Sequence, residues 1–508
     1  MSYLIGMDVG TTGIKSILME EGGKILASSF VEYPLLLPKP GWAEQHPEDW
    51  WEATKQSLSR LLGESGVDKS AIKGLSFSGQ MHGLVCLDEN DKPLRPAILW
   101  CDLRTTPQCK SITDRIGYER LIELVSNPAL EGFTLPKVVW VKENEPSVWA
   151  RVRSMMLPKD YVCFRLTGRK GMEVSDGAGS LMMDVANNRW CSALLKELDI
   201  DEGLLPALHR SIDVAGQVGE QAARETGLPA GLPIVYGGAD NACAAVGNGV
   251  VEEGLVTASI GTSGTTVAPT SKPVLHPEGR LHSFNHAVPG MWYLMGCMQA
   301  AGLSFKWIRD QFGAAERAVA ERTGRDPYEF LTAEAERSAP GAEGLVWLPY
   351  LSGERTPHLD ANAKGCLFGV TARHTRSHVI RAILEGVTFG MRDGLELMKA
   401  LGTPIRQIRL TGGGAKSALW RQIQADIYGQ PVATINVDEG PAFGAAIIAG
   451  VGVGVYKDFA SVCSSLIQVT RTIDPIPENV ARLNDNYALF RELYPALKGS
   501  MAKAGALA

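Results

Sequence analysis

Three short segments of this chain combine glycines, hydroxyls and acids at spacings that suit phosphate chemistry. The first, Asp8-Val9-Gly10-Thr11-Thr12-Gly13, follows an apolar run. Glycine lets backbone approach an anion closely, and the N–H groups and hydroxyls of Thr11 and Thr12 can donate to phosphate oxygens. A carboxylate beside a polyphosphate is repelled unless a cation lies between them. That points Asp8 at Mg²⁺, which favours one or two carboxylates together with substrate phosphates. Lys15, just beyond, could offset phosphate charge. The same residues also fit an ordinary hairpin with an Asp in its turn.

The second segment, Ser259-Ile260-Gly261-Thr262-Ser263-Gly264, echoes the first about half a chain later but lacks the acid. It could cradle phosphate without a metal. The third, Gly412-Gly413-Gly414-Ala415-Lys416-Ser417, brings bare backbone to a strand end, which suits a flat ring such as adenine. Alone it reads equally as a tight loop. The motifs of other nucleotide folds are missing: the Gly23-Lys24 step lies in no P-loop frame, and no GxGxxG opens a helix after a strand.

Acids and a histidine complete the inventory. Asp240 and Asn241 follow the apolar run Ile234 to Tyr236. A carboxylate there can accept the proton of a sugar hydroxyl as the new P–O bond forms, or it can cap the next helix. Gln80-Met81-His82 ends another run, where His and Gln can pair with hydroxyls and Met forms an apolar wall. Trp100-Cys101-Asp102-Leu103-Arg104 adds an acid and a base.

These segments need a frame that brings strand ends together. A β-meander is predicted over Tyr3 to Met7, Ile14 to Met19 and Ile25 to Phe30, then a helix from Pro47 to Leu62 and a strand from Ile72 to Ser78. Further on, a helix is predicted at His378 to Met398, a strand at Ile405 to Leu410, a helix opened by Pro441, and an amphipathic tail over Val480 to Leu497. If the echo is real, the chain holds two similar α/β halves with a cleft between them, divided as 1–247 and 248–508.

Bulk composition excludes other classes. The 508 residues exceed one ordinary core. Lys and Arg total 50 against 56 Asp and Glu, a net charge of −6, so no global attraction to nucleic acid or anionic membrane is expected. The nine cysteines form no CxxC pair, which suits reduced thiols in a cytoplasmic protein rather than a disulfide frame or a zinc site. The opening segment lacks the basic flank of a signal peptide, and no uncharged stretch reaches membrane-span length. The sequence leaves a homodimer open.

At this point the motifs resemble a known family, the FGGY carbohydrate kinases, over nearly the whole chain. Gly132-Phe133-Thr134-Leu135-Pro136-Lys137-Val138-Val139-Trp140 fits its first signature. Gly365 to Glu385, with Gly369 and His378, fits the second. The segments Ser78 to Gly83, Leu157 to Tyr161, Gly238 to Asn241 and Gly353 to His358 are similar to those of members that phosphorylate D-xylulose. The resemblance implies an α/β fold of two ribonuclease-H-like domains, of the actin and hexokinase type, with the active site in the cleft between them. It implies Asp240 as the general base, Asp8 at Mg²⁺ and the phosphates of ATP, and Met81, His82, Asn241 and Asp102 at the sugar. It makes Gly10, Thr11, Thr12, Lys15, Gly261 and Thr262 phosphate-binding, and Gly413, Gly414 and Ser417 adenosine-binding. Cys101 departs from the family, which usually carries Asn there. Two alternatives stay open: a kinase for ribulose, L-xylulose or another polyol, and a non-catalytic ATP-driven switch of the same fold.

Overall fold

The computed structural model describes residues 2–437 and 439–507. Six strands form a first sheet: β1 (Tyr3–Val9), β2 (Gly13–Glu20), β3 (Ile25–Glu32), β4 (Ile72–Gly79), β5 (Val214–Gln217) and β6 (Pro233–Ala239). Their order is β5-β6-β4-β1-β2-β3. The predicted meander is present, with each strand slightly longer than the apolar run that announced it.

Alternation along β1 and β2 splits their side chains between two cores. Ile5, Met7, Val9, Ile14 and Leu18 face one side and pack with Trp50, Leu58 and Leu61 of α1 (Pro47–Ser65). Pro47 opens this helix, Glu48 and Asp49 sit in its first turn, and Gly66 at φ 64° closes it. Three further helices belong with this sheet: α2 (Pro158–Thr167), the short α3 (Val174–Gly179) and α4 (Asp240–Gly247).

The second sheet has seven strands: β7 (Gly254–Ile260), β8 (Gly264–Thr270), β9 (His282–Asn285), β10 (Trp292–Met298), β11 (Ile405–Gly412), β12 (Val432–Ile435) and β13 (Val469–Ile473), ordered β9-β10-β8-β7-β11-β12-β13. Each sheet is an antiparallel meander flanked by two parallel strands and closed by an antiparallel edge strand. The echo seen in the sequence is therefore structural. Asp8 pairs across the strands with Lys15 and Ser78, and Ser259 pairs at the same places with Thr265 and Thr411.

Five more helices complete the frame: α5 (Ala301–Phe312), α6 (Arg376–Ala400), α7 (Ala418–Tyr428), α8 (Gly440–Gly452) and α9 (Pro477–Ala506). α5, α6 and α7 share the second core with Val256, Ala258 and Ile260 of β7. α8 lies in sequence between β12 and β13 of the second sheet yet joins the core of the first, where Phe443, Ala446 and Ile447 share a cluster with Leu4, Ile17 and Met19. The approach is close. A Cβ on Gly6 would lie 1.9 Å from the Ala442 carbonyl oxygen, and one on Gly444 would lie 1.9 Å from that of Cys243 in α4. Bare glycine is the residue that permits such backbone contact. Among the described residues, no helix is long and apolar enough to cross a membrane.

Candidate active site

Three parallel strand ends of the first sheet stop at one level. Gly79 of β4 pairs with Val9 of β1 on one side and with Ala239 of β6 on the other. The turn at Gly10 to Thr12, the segment Gln80-Met81-His82, and Asp240 with Asn241 therefore leave a single edge. Carboxyl ends of strands are where open α/β sheets bind ligands.

The first turn is pinned from several sides. Gly10 N–H donates to Gly13 O at 3.1 Å, and the Tyr33 hydroxyl donates to Gly10 O. Thr11 Oγ1 donates to Gln80 Oε1 at 3.2 Å and accepts Trp100 Nε1–H at 2.9 Å. Gln45 Nε2 reaches Thr11 O at 2.7 Å. These bonds occupy the Thr11 hydroxyl, while Thr12 stays exposed at the tip. Ser78 Oγ donates to Asp8 Oδ1 at 2.7 Å. Burial raises the Asp8 carboxyl above its ordinary range, against the lowering effects of Ser78 and Lys15. The Lys15 ammonium itself pairs with Glu439 from the second half of the chain.

Asp240 opens α4. Its Oδ1 accepts Asn241 N–H at 2.6 Å and Asn241 Nδ2–H at 2.8 Å. Burial, and then the charge of Asp8, push its carboxyl up to about 7. A carboxylate whose charge raises a second one beside it calls for a cation. Asp8, with Oδ1 already held by one hydroxyl, suits Mg²⁺ bound chiefly through phosphates and water. Among the described residues, no group of three or more His, Cys, Asp or Glu side chains could hold a metal without such help.

Asn241 Nδ2 lies 3.8 Å from Met81 Sδ, so the acid end adjoins the Met81-His82 segment. His82 has φ 71°, an uncommon conformation for a non-glycine residue. Its Nδ1 lies 2.5 Å from Gly179 O, which makes Nδ1 the protonated nitrogen. Burial holds the ring well below its ordinary pKa. A neutral ring with Nδ1–H engaged leaves Nε2 as an acceptor. Its wall is aromatic: Phe133 at 4.9 Å and Phe284 at 6.3 Å between ring centres.

Asp102 does not join this group. It is fully buried, and its two oxygens accept Ala43 N–H at 2.6 Å, Arg104 N–H at 2.9 Å and the Arg104 guanidinium at 2.7–3.0 Å. Arg104 also pairs with Glu44 and lies 3.6 Å over the Trp42 ring. With its lone pairs taken, Asp102 fixes the segment next to Trp100 and offers nothing to a sugar. The neighbouring Cys101 thiol is only partly exposed, and burial raises its pKa.

The other two loops meet in the second half. Gly261 O and Thr262 O accept the Gly302 and Leu303 amides of α5 at 2.8 and 3.0 Å. Gly412, at φ 73°, and Gly414 pass directly over Ile260. Ser417 Oγ accepts Trp420 N–H at 3.3 Å and so caps α7. Between the loops lies a cavity of about 440 Å³, lined by Gly261, Thr262, Gly413, Gly414 and Ser417 and walled by Phe305, Tyr328 and Trp420. Its size and aromatic lining match a purine nucleoside. A larger space of about 880 Å³ runs from Asn241 past Ser259 to Gly412 and Gly413, joining the acid end to this loop.

Sequence reasoning missed the support behind Asp240. Ala239 N–H donates to Ser175 Oγ at 2.9 Å, and Ser175 Oγ donates to Glu173 at 2.8 Å. Glu173 also takes Ser211 Oγ–H at 3.0 Å, and Lys159 Nζ lies among Asp160, Asp176 and Glu173 at 2.7, 2.9 and 3.4 Å. Burial raises the Asp176 carboxyl well above its ordinary range in this cluster of one base and three acids. Nothing in local sequence marks these residues beyond the Leu157 to Tyr161 segment.

Comparison with known proteins agrees with this geometry. Residues 3–247 match the N-terminal domain of the FGGY family of carbohydrate kinases, and residues 256–453 match its C-terminal domain. A xylulose kinase of Lactococcus lactis is 41% identical, covering 97% of this chain and 97% of its own. A xylulose kinase of Bacillus subtilis is 39% identical, covering 98% of each. Among solved structures, a ligand-bound xylulose kinase from Lactobacillus acidophilus has a TM-score of 0.92 at 27% identity, covering 99% of this chain and 100% of that one. Both halves of the sequence, and the site that they enclose, are thus accounted for together: the chain belongs to the FGGY family of carbohydrate kinases.

Proposed function

We propose that this kinase transfers the γ-phosphoryl group of ATP to the terminal 5-hydroxyl of D-xylulose, in the cytoplasm and with Mg²⁺. The observation that carries the reading is Asp240. A buried carboxyl raised to about 7 stands between the turn at Asp8 and the wall of Met81 and His82. A base of that strength is half ionised at neutral pH and can take the proton of a poor nucleophile as transfer proceeds. Relatives named xylulose kinase, similar over the full chain, supply the sugar.

The residues divide the work as follows. Adenosine occupies the cavity of Gly413, Gly414 and Trp420, with its phosphates extending toward the backbone at Gly261 and Gly10. Thr12 and Thr262 donate to phosphate oxygens. Lys15 reaches them by leaving Glu439. Asp8 would hold the metal, which supplies charge neutralisation at the transferring group. Asn241 orients Asp240 through two hydrogen bonds. His82 Nε2 accepts a sugar hydroxyl, and Met81 excludes water. Closure of the halves brings the γ-phosphoryl group in line with O5.

The test is ADP release from ATP with D-xylulose, L-xylulose, D-ribulose, L-ribulose, D-fructose, gluconate and glycerol, each with and without Mg²⁺. Preference for D-xylulose, lost on chelation, is expected. Preference for another sugar would replace the substrate and keep the mechanism.

A further inference from the structure

The second half of the chain sends one cation to the sugar end of the site. Arg355 sits on a loop fixed from both sides. Glu354 Oε1 accepts the amides of Gln299 and Arg355 at 2.9 and 2.8 Å. Thr356 exchanges bonds with the Cys297 backbone in both directions at 3.0 Å and donates to Arg280 O at 2.9 Å. From this mount the guanidinium crosses to the first half. A methyl group on Gly132 would lie 3.2 Å from Arg355 Nη2 and 3.5 Å from Trp100 O. A side chain on Gly132 would crowd the guanidinium, which would have to shift by a few tenths of an ångström.

Its neighbours show which end of the site it serves. Its charge bears on His82, His282 and Lys137, while the acid that bears on Asp240 is Asp8. The site therefore has an acid end, where a hydroxyl is phosphorylated, and a cationic end beside His82. Lys137 cannot serve a ligand there. Its ammonium donates to the carbonyls of Glu131, Gly132 and Phe133 at 2.9, 2.6 and 2.7 Å, which uses all three donors. Arg355 is different: its side chain bonds the Cys297 thiol and its charge lowers the buried Glu354 carboxyl beside it, but neither contact takes the whole planar fork. Arg104, by contrast, is held by two carboxylates, Asp102 and Glu44.

With O5 of an open-chain ketose at Asp240, the carbonyl carbon and its hydroxymethyl group lie toward the cationic end. We propose that Arg355 reads the carbonyl end of the ketose, donating from its planar fork to the C2 carbonyl oxygen and the C1 hydroxyl oxygen. The inference rests on the D-xylulose reading above. It explains why a residue from the far half is mounted so firmly beside Gly132.

The experiment compares D-xylulose with 1-deoxy-D-xylulose in the full-length wild type, Arg355→Gln and Arg355→Lys. Melting temperature and KM for ATP serve as controls for folding. Removing the fork is expected to lower kcat/KM for D-xylulose about 10- to 100-fold and that for the deoxy sugar clearly less, so the ratio between the sugars contracts. Lys is expected to restore part of the rate and little of the ratio. Equal losses on both sugars, or no loss, with wild-type turnover of D-xylulose intact, would overturn the role of Arg355 alone. Absence of wild-type turnover would overturn the proposed substrate and this inference with it.

Discussion

The hydroxyl of Ser175 accepts the Ala239 amide at 2.9 Å and passes its own proton to Glu173. One side chain thus ties the strand end that carries Asp240 to a buried anchor.

Ser175→Ala leaves the Ala239 N–H and a Glu173 lone pair without partners, at a cost of about 1–3 kcal/mol. The freed strand end lets Asp240 drift from the sugar hydroxyl. We expect kcat to fall about 10-fold with KM for ATP within about 2-fold of wild type, because loss of alignment weakens transfer rather than nucleotide binding. Steady-state kinetics with either substrate varied read this split. A proportional rise in KM for ATP would speak against a positioning role.

Replacing the base separates function from stability. The folded pKa of Asp240, about 7, lies above the ordinary aspartate value of 3.8. The folded protein therefore holds a proton that the unfolded chain releases, and stability is lost as pH rises through that window. Asp240→Asn removes the loss. It is expected to melt a few °C higher than wild type at pH 8, with the gap closing toward pH 4, while kcat falls about 1,000-fold or more. Nucleotide binding, followed by calorimetry, should persist.

The same carboxyl sets the pH profile. Only its ionised form accepts a proton, so kcat/KM for the sugar is expected to rise about tenfold per unit below pH 7 and to level above it. Mg²⁺ held by Asp8, as proposed, would relieve the repulsion that helps raise Asp240, so the limb in kcat at saturating ATP is expected at lower pH than the limb in kcat/KM measured without saturating ATP. Coincident limbs would remove Asp8 from the cause.

Much of this site could be read from residue order. The hairpin turn at Asp8, its echo at Ser259, and the strand end before Asp240 are local patterns, and local patterns survive in sequence. The extent of α1 and α6 was legible within a few residues because caps and periodicity mark helices. Asp102 shows where such reading fails. An acid near a tryptophan looks the same whether it faces a ligand or, as here, a buried guanidinium two residues on. Lys15 has its partner more than 400 residues away at Glu439. The aromatic wall joins Phe133 to His282 and Phe284, and no spacing rule relates positions on different halves.

The placement of α8 carries a consequence for how the protein is made. The face of β1 and β2 that holds Leu4 and Ile17 is covered by a helix that follows it by more than 400 residues. Until that helix is made the face is bare, although the strands beneath it are long since complete. An apolar sheet exposed for so long invites association with other nascent chains. Products that terminate short of Gly440 would leave it exposed for good, so a distant downstream helix governs whether these strands can stay in solution.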